Sequence, residues 1–254
     1  MPYRIGVISD THYPTRLPEL PYAAIAEVFQ GVAQIVHLGD IESQLVLEKL
    51  AHIAPVSAVM GDDDAIRLPR KRILEIAGVR IGLVHGQRSL WIERIRPMLL
   101  KGLGKPVDAW NGMQTDLLRW FQADNVQAIL FGHWHRVYNA WHNGTLLFNP
   151  GAVYAMTVEA LCWQRQHAPA LLRRLIAAHH LRRAMRAPER YQAESTVGVL
   201  TVHEDGQLTA EVKRLAPILY PCQMNDTASL HSGRRSPLQV FGDHKPRAAW
   251  RASS

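Results

Sequence analysis

Five turns of this chain, each following a stretch that reads as a β-strand, carry seven side chains able to ligate a metal. They are Asp10 and His12 in Ser-Asp-Thr-His, Asp40 in His-Leu-Gly-Asp, and Asp62 in Gly-Asp-Asp-Asp. His85 in Val-His-Gly follows, and then His133 and His135 in Gly-His-Trp-His. Strands that end in Asp and His bring their loops together at one edge of a sheet. Three carboxylates and four imidazoles gathered there suffice for two divalent cations. Oxygen and nitrogen donors without a thiolate favour manganese, iron or zinc.

The strands themselves have a readable order. Residues 3–9 are a short, mostly apolar run of the kind a buried strand needs. A helix is expected over 22–30, a second strand over 34–38, a helix over 43–53 and a third strand over 56–60. Leu45, Leu47, Leu50 and Ile53 suit the buried stripe of that second helix. This βαβαβ opening predicts a largely parallel sheet with helices on its faces. The pattern then changes to hairpins. Residues 72–76 and 80–84 flank Ala77-Gly78-Val79, and 137–141 and 145–148 turn at His142-Asn143-Gly144. A last pair, 195–203 and 207–214, turns at Asp205-Gly206. Residues 88–123 read as mostly helical, interrupted by Pro97, Gly102, Gly104 and Pro106, before a strand at 126–131. The expectation is a two-sheet α/β sandwich over residues 1–216, with an insertion at 155–192 before the last hairpin. That insertion is expected to hold one helix over 168–187, with Pro169 in its first turn and Pro188 as its stop. Residues 217–254, rich in Pro, Ser, Gly and Arg, read as a poorly ordered tail.

The net charge of +7 is a weak pointer to nucleic acid because of where it sits. Residues 159–192 carry seven Arg against two Glu, and 217–254 carry five Lys or Arg against two Asp. The body of the fold is left close to neutral, so basicity belongs to two appendages. No apolar run approaches the roughly 20 residues of a membrane span, so no membrane partner is expected. Absence of a signal-peptide pattern, and two cysteines with no disulfide framework, point to the cytoplasm.

Six short motifs give this arrangement a resemblance. Asp-Thr-His at 10–12, Gly-Asp at 39–40, Gly-Asp-Asp-Asp at 61–64, His-Gly at 85–86, Gly-His-Trp-His at 132–135 and Asn-Pro-Gly at 149–151 follow one order. In that order they resemble the calcineurin-like metallophosphoesterases, especially the small bacterial and archaeal phosphodiesterases, over residues 3–154 and again over 195–214. The resemblance implies a four-layer αββα sandwich with two metals at the strand ends, manganese first among the candidates. By position, Asp10, His12 and His135 would hold the first metal, and Asp62, His85 and His133 the second. Asp40 would bridge them, with a bridging hydroxide attacking a phosphate ester in line, and Asn149-Pro150-Gly151 would be a structural turn.

Two departures bear on the chemistry. The family usually has Asn where this chain has Asp62, and the extra carboxylate lowers the net positive charge of the centre. Some relatives follow with a His that assists the leaving group, where this chain has Asp63. Asp63 would be a general acid only if crowding by Asp62 and Asp64 raised its pKa. Residues 11–21 also resemble the start of the retromer's phosphoesterase-like subunit, a protein-binding scaffold that shares the Asp-for-Asn change. That subunit lacks an Asp at the position of Asp40, whose retention here favours a working centre.

The expected function is therefore hydrolysis of phosphodiesters, with Asp40, His85 and Asp63 as its catalytic residues. The alternatives are a protein-interaction scaffold and a nuclease that uses the arginines of 173–186. Trp91, Trp110, Arg88, Arg94 and Arg96 are candidate substrate contacts, set against their reading as core tryptophans under solvated arginines. His37 reads as a packing residue and His179-His180 as helix surface. Leu171, Leu172, Leu175 and Ile176 are a candidate self-contact, which leaves a homo-oligomer open.

Overall fold

Strand β1 (Tyr3–Ile8) lies between two apolar layers, and its alternation explains the architecture. Ile5 and Val7 point into the layer between two sheets, whereas Ile8 points to the helices outside. Gly6 shares the outer face, where an added Cβ would sit 2.9 Å from the Phe29 ring. The computed structural model describes residues 1–107, 112–191 and 193–221.

The first sheet has the order β10-β9-β1-β2-β3. Strands β1, β2 (Gln34–His37) and β3 (Val56–Ala58) run parallel, linked by α1 (Tyr22–Val28) and α2 (Gln44–Ala51). The hairpin β9 (Thr196–Val202) and β10 (Leu208–Arg214) pairs antiparallel with β1. The second sheet has the order β4-β5-β6-β8-β7. Its strands are β4 (Lys71–Ile76), β5 (Val79–Val84), β6 (Ala128–Phe131), β7 (Val137–His142) and β8 (Thr145–Pro150). Parallel β5, β6 and β8 form its centre, and β4 and β7 flank them antiparallel. Val7, Val36 and Leu38 of the first sheet pack on Ile81, Leu130 and Phe148 of the second. On the far side, Ile129, Phe131 and Leu147 are covered by Met113, Leu117 and Phe121, the first two from α4 (Met113–Trp120). The expected four layers are present.

Two local expectations need correction. Pro97 does not interrupt a helix. It lies in α3 (Arg96–Gly102), within a helical run that continues unbroken from Leu90. A π-helical turn, Trp91–Ile95, leads into it. The insertion holds two helices, not one: α5 (Val158–His167), capped by the Thr157 hydroxyl, precedes α6 (Leu171–Ala184). In α5 the consecutive residues Ala160, Leu161, Cys162 and Trp163 are all buried, so no 3.6-residue stripe announces it.

Residues Met1–Pro221 form one compact unit, and Ile218 and Tyr220 pack on its outer apolar cluster. The rest of the expected tail lies outside the described residues, as does Trp110. Among the described residues no helix is long and apolar enough to cross a membrane.

Candidate metal centre

All seven singled-out side chains meet at one edge of the sandwich, in two groups. Asp10, His12, Asp40 and His135 offer ligand atoms within 4.8 Å of one another, and so do Asp62, His85 and His133. Asp40 stands between the groups. Its Oδ2 is 3.4 Å from Nε2 of His12, and its Oδ1 is 3.5 Å from Nε2 of His85.

The backbone is bent to achieve this. Asp10, His12, Asp40, His133 and His135 all have positive φ, between 46° and 71°. Non-glycine residues adopt such angles at a cost, and surrounding contacts must hold them there. The N–H of Asp10 donates to Gly39 O at 3.0 Å, and that of His12 donates to Asp40 O at 2.9 Å. The Asp64 carboxylate accepts from the N–H groups of Asp40, Ile41, Glu42 and Gly61. It therefore fastens the loop after β2 to the loop after β3. Across the two sheets, the N–H of His133 donates to Asp10 Oδ2 at 3.1 Å. That approach requires Gly132, where a Cβ would fall 1.9 Å from Ser9 Oγ. Asn149 is buried and its side-chain amide donates to Gly132 O at 2.9 Å, bracing the same loop.

Each of three imidazoles has one nitrogen engaged outside the cluster and the other facing the carboxylates. His85 Nδ1 meets Leu38 O at 2.7 Å while Nε2 lies 2.9 Å from Asp62 Oδ1. His12 Nδ1 meets Glu42 Oε1 at 2.9 Å, and its Nε2 faces Asp40 and His135. His133 Nε2 meets Glu93 Oε2 at 3.0 Å while Nδ1 lies 3.3 Å from Asp62 Oδ1. Outer partners of this kind select the tautomer and aim the ligating nitrogen inward.

Electrostatics agree with a site made for cations. Burial would raise the Asp10 carboxyl, but His135, His85 and His12 around it hold it well below the usual range. Burial opposes charge on His85 as well, yet contacts with Asp40 and Asp62 raise it well above 6.5. His133 is pushed up to about 9 by Asp62 and Glu93, against the effect of burial. These protons neutralise carboxylates that divalent cations would neutralise better. Asp10 Oδ1 is fully buried and makes no hydrogen bond, with His135 Nε2 3.3 Å away. A buried carboxylate oxygen left without a donor fits a cation ligand. The residues present fit a divalent metal in either group.

Asp63 sits differently. Its Oδ2 accepts from Arg16 Nη2 at 2.5 Å and its Oδ1 from Arg173 Nη2 at 3.0 Å. Arg173 comes from α6 and also reaches Thr15 and Glu42. His37 is buried, lowered to about 4 by burial, with Gly39 N 3.3 Å from its Nδ1. Arg88 is buried and pairs with Asp116 at 3.1 Å, which makes it an anchor for α4. Trp91 and Arg96 are exposed.

Sequence reasoning missed Glu42, Glu93, Arg16, the pairing of Arg173 with Asp63 and the bracing role of Asp64. Glu42 and Asp64 lie within two residues of motif aspartates, which is a usable signal. Nothing local marks Glu93, whereas Arg173 belongs to the arginine run 173–186 that the sequence offers as a phosphate contact.

Comparison with known proteins agrees with this geometry. The pattern of the calcineurin-like phosphoesterase superfamily domain matches residues 3–162. The chain is 36% identical to a probable metallophosphoesterase of Methanocaldococcus jannaschii over 148 residues, 58% of this chain and 67% of that one. It is 45% identical to a probable metallophosphoesterase of Methanothermobacter thermautotrophicus over 86 residues, 33% of this chain and 49% of that one. Among solved structures, Vacuolar Protein Sorting 29 from Cryptosporidium parvum matches with a TM-score of 0.52 at 18% identity. That match covers 85% of this chain and 99% of the other, a likeness of fold. A family pattern spanning most of the sandwich, on a fold that gathers these ligands at one edge, makes this chain a member of the calcineurin-like phosphoesterase superfamily.

Proposed function

We propose that this protein hydrolyses phosphodiesters at a centre of two divalent cations, with manganese the first candidate and iron or zinc compatible with the same donors. Asp10, His12 and His135 are assigned to one cation, and Asp62, His85 and His133 to the other. The observation that carries the reading is Asp40, which turns one carboxylate oxygen toward each group, 3.4 Å from His12 and 3.5 Å from His85. Two cations held there would supply positive charge against the phosphoryl oxygens and bring the pKa of a water between them to near 7.

The chain's own residues do the rest. Glu42, Glu93 and Leu38 O keep His12, His133 and His85 oriented. Arg16 and Arg173 offer guanidinium forks beside the centre, suited to a phosphate oxygen. We assign Asp63 to holding those arginines, because both of its oxygens accept from them. Preference for diesters follows from charge. Three aspartates among the proposed ligands, with Glu42, Glu93 and Asp63, offset the charge of two cations, Arg16 and Arg173, which costs a dianionic monoester more attraction than a monoanionic diester.

The test is hydrolysis of bis-p-nitrophenyl phosphate and p-nitrophenyl phosphate by metal-stripped protein, with and without added Mn²⁺. Asp40→Asn serves as the blank. Metal-dependent diester turnover that disappears in the variant supports the reading. Folded protein with no turnover above the blank, with any of the three metals, would sink it in favour of a binding scaffold.

A further inference from the structure

Two helical segments flank the candidate centre, and both present large apolar side chains to solvent. On α6, Leu171 and Leu172 are 72% and 68% exposed, and Leu175 and Ile176 are exposed beside them. The same helix sends Arg173 to Asp63. On the other side, the segment that sends Glu93 to His133 leaves Trp91, Met98, Leu99 and Leu103 exposed, Leu103 by 73%. Single exposed leucines are ordinary, whereas clusters on two elements beside one site mark an interaction surface.

Charge identifies the occupant. Residues 168–187 contain five Arg and no acidic residue. Residues 88–107 contain five Lys or Arg and one acidic residue, Glu93, which is turned to His133. Arg174, Arg182, Arg183, Arg96, Lys101 and Lys105 are exposed among the apolar side chains. On α6 the exposed leucines occupy the first turns and exposed Arg182 and Arg183 the last, so apolar side chains can enter a bilayer while the guanidinium groups stay at anionic headgroups.

We infer that α6 and the segment 90–103 dock this protein on an anionic lipid surface, beside the candidate centre. Other occupants fit less well. A second copy would set one cationic face against another, a repulsive contact. Nucleic acid would use the arginines and leave the leucines in water. A bilayer with anionic headgroups satisfies both. The sequence argument against a membrane rests on the absence of a spanning run, and docking at the interface needs none.

The experiment is co-flotation of the full chain with vesicles of neutral phosphatidylcholine, and with vesicles in which roughly a third is phosphatidylglycerol. Flotation is expected with the anionic vesicles alone and is lost at about 1 M salt. Leu172→Ser with Leu175→Ser, and separately Leu99→Ser with Leu103→Ser, each lower partitioning about tenfold without changing the melting temperature. Arg182→Gln with Arg183→Gln lowers it by about 10- to 30-fold. Failure to float with anionic vesicles, or flotation that none of the three variants weakens, overturns the inference. So does a dimer in solution that Leu172→Ser with Leu175→Ser converts to monomer, an outcome that assigns the face to a second copy.

Discussion

Glu93 holds His133 by the edge: its Oε2 lies 3.0 Å from Nε2, which leaves Nδ1 of the same ring 3.3 Å from Asp62. The carboxylate comes from the π-helical turn between β5 and α3, outside every ligand motif. Partners of this kind fix tautomer and ring angle, and their loss typically costs 10- to 100-fold in metal affinity. If two divalent ions occupy the proposed groups, Glu93→Gln is expected to weaken the one assigned to His133 by about that factor and spare the other. Stepwise titration of metal-stripped protein, followed by calorimetry, measures it. Equal weakening of both ions, or of neither, would contradict this role.

On the proposed reading, protons and cations would compete for the same side chains. His133 is raised from 6.5 to about 9, since Asp62 and Glu93 outweigh burial. Metal-free protein therefore keeps this proton below about pH 9, whereas the unfolded chain releases it near 6.5. The stabilisation from this group is fully present below 6.5 and lost as pH rises through about 9. Melting temperature of the metal-free protein is expected to fall across that window, and His133→Asn to flatten the fall. Manganese affinity should move the other way, rising about tenfold per pH unit for each proton displaced. An affinity that does not change between pH 6.5 and 9 would rule this competition out.

Arg173 reaches the centre from α6, with its Nη2 3.0 Å from Asp63 and its Nη1 3.5 Å from Glu42. If its guanidinium meets substrate, Arg173→Gln raises KM for a diester about tenfold and changes kcat little. Inorganic phosphate should lose affinity as an inhibitor by a similar factor. A fall in kcat at constant KM would instead mean that Arg173 acts through Glu42 on His12.

Gly132 allows two sheets to meet at the site. Adding a methyl there places carbon 1.9 Å from Ser9 Oγ, beside the Asp10 carboxylate. Gly132→Ala is expected to destabilise the fold by about 1–3 kcal/mol. It should also reduce metal content, because His133 and Asp10 are pushed apart. Gly102→Ala, with nothing within 4 Å of the added carbon, is the control and should be neutral or slightly stabilising. Thermal melts and metal analysis of the two variants decide the point.

Much of the fold was legible because its signals are local. Apolar runs ending in Asp10, Asp40 and His85 marked strands β1, β2 and β5, and Asn143-Gly144 marked the turn of the β7–β8 hairpin. The α5 helix was not legible, because burial on successive residues leaves no periodic face. Pro97 misled in the other direction, since the helical run passes through it directly after a π-helical turn.

By itself the sequence determined which side chains end the strands and in what order the strands follow. Those facts depend on neighbours within a few residues. Only the tertiary structure decided that Asp40 faces both ligand groups and that Asp64 ties two loops together. It alone brought Glu93 to His133 across 40 residues and Arg173 to Asp63 across 110. Such pairings depend on how the sheets stack and where the insertion packs, which no local pattern encodes. Ligand identity is a property of turns, and ligand orientation is a property of packing.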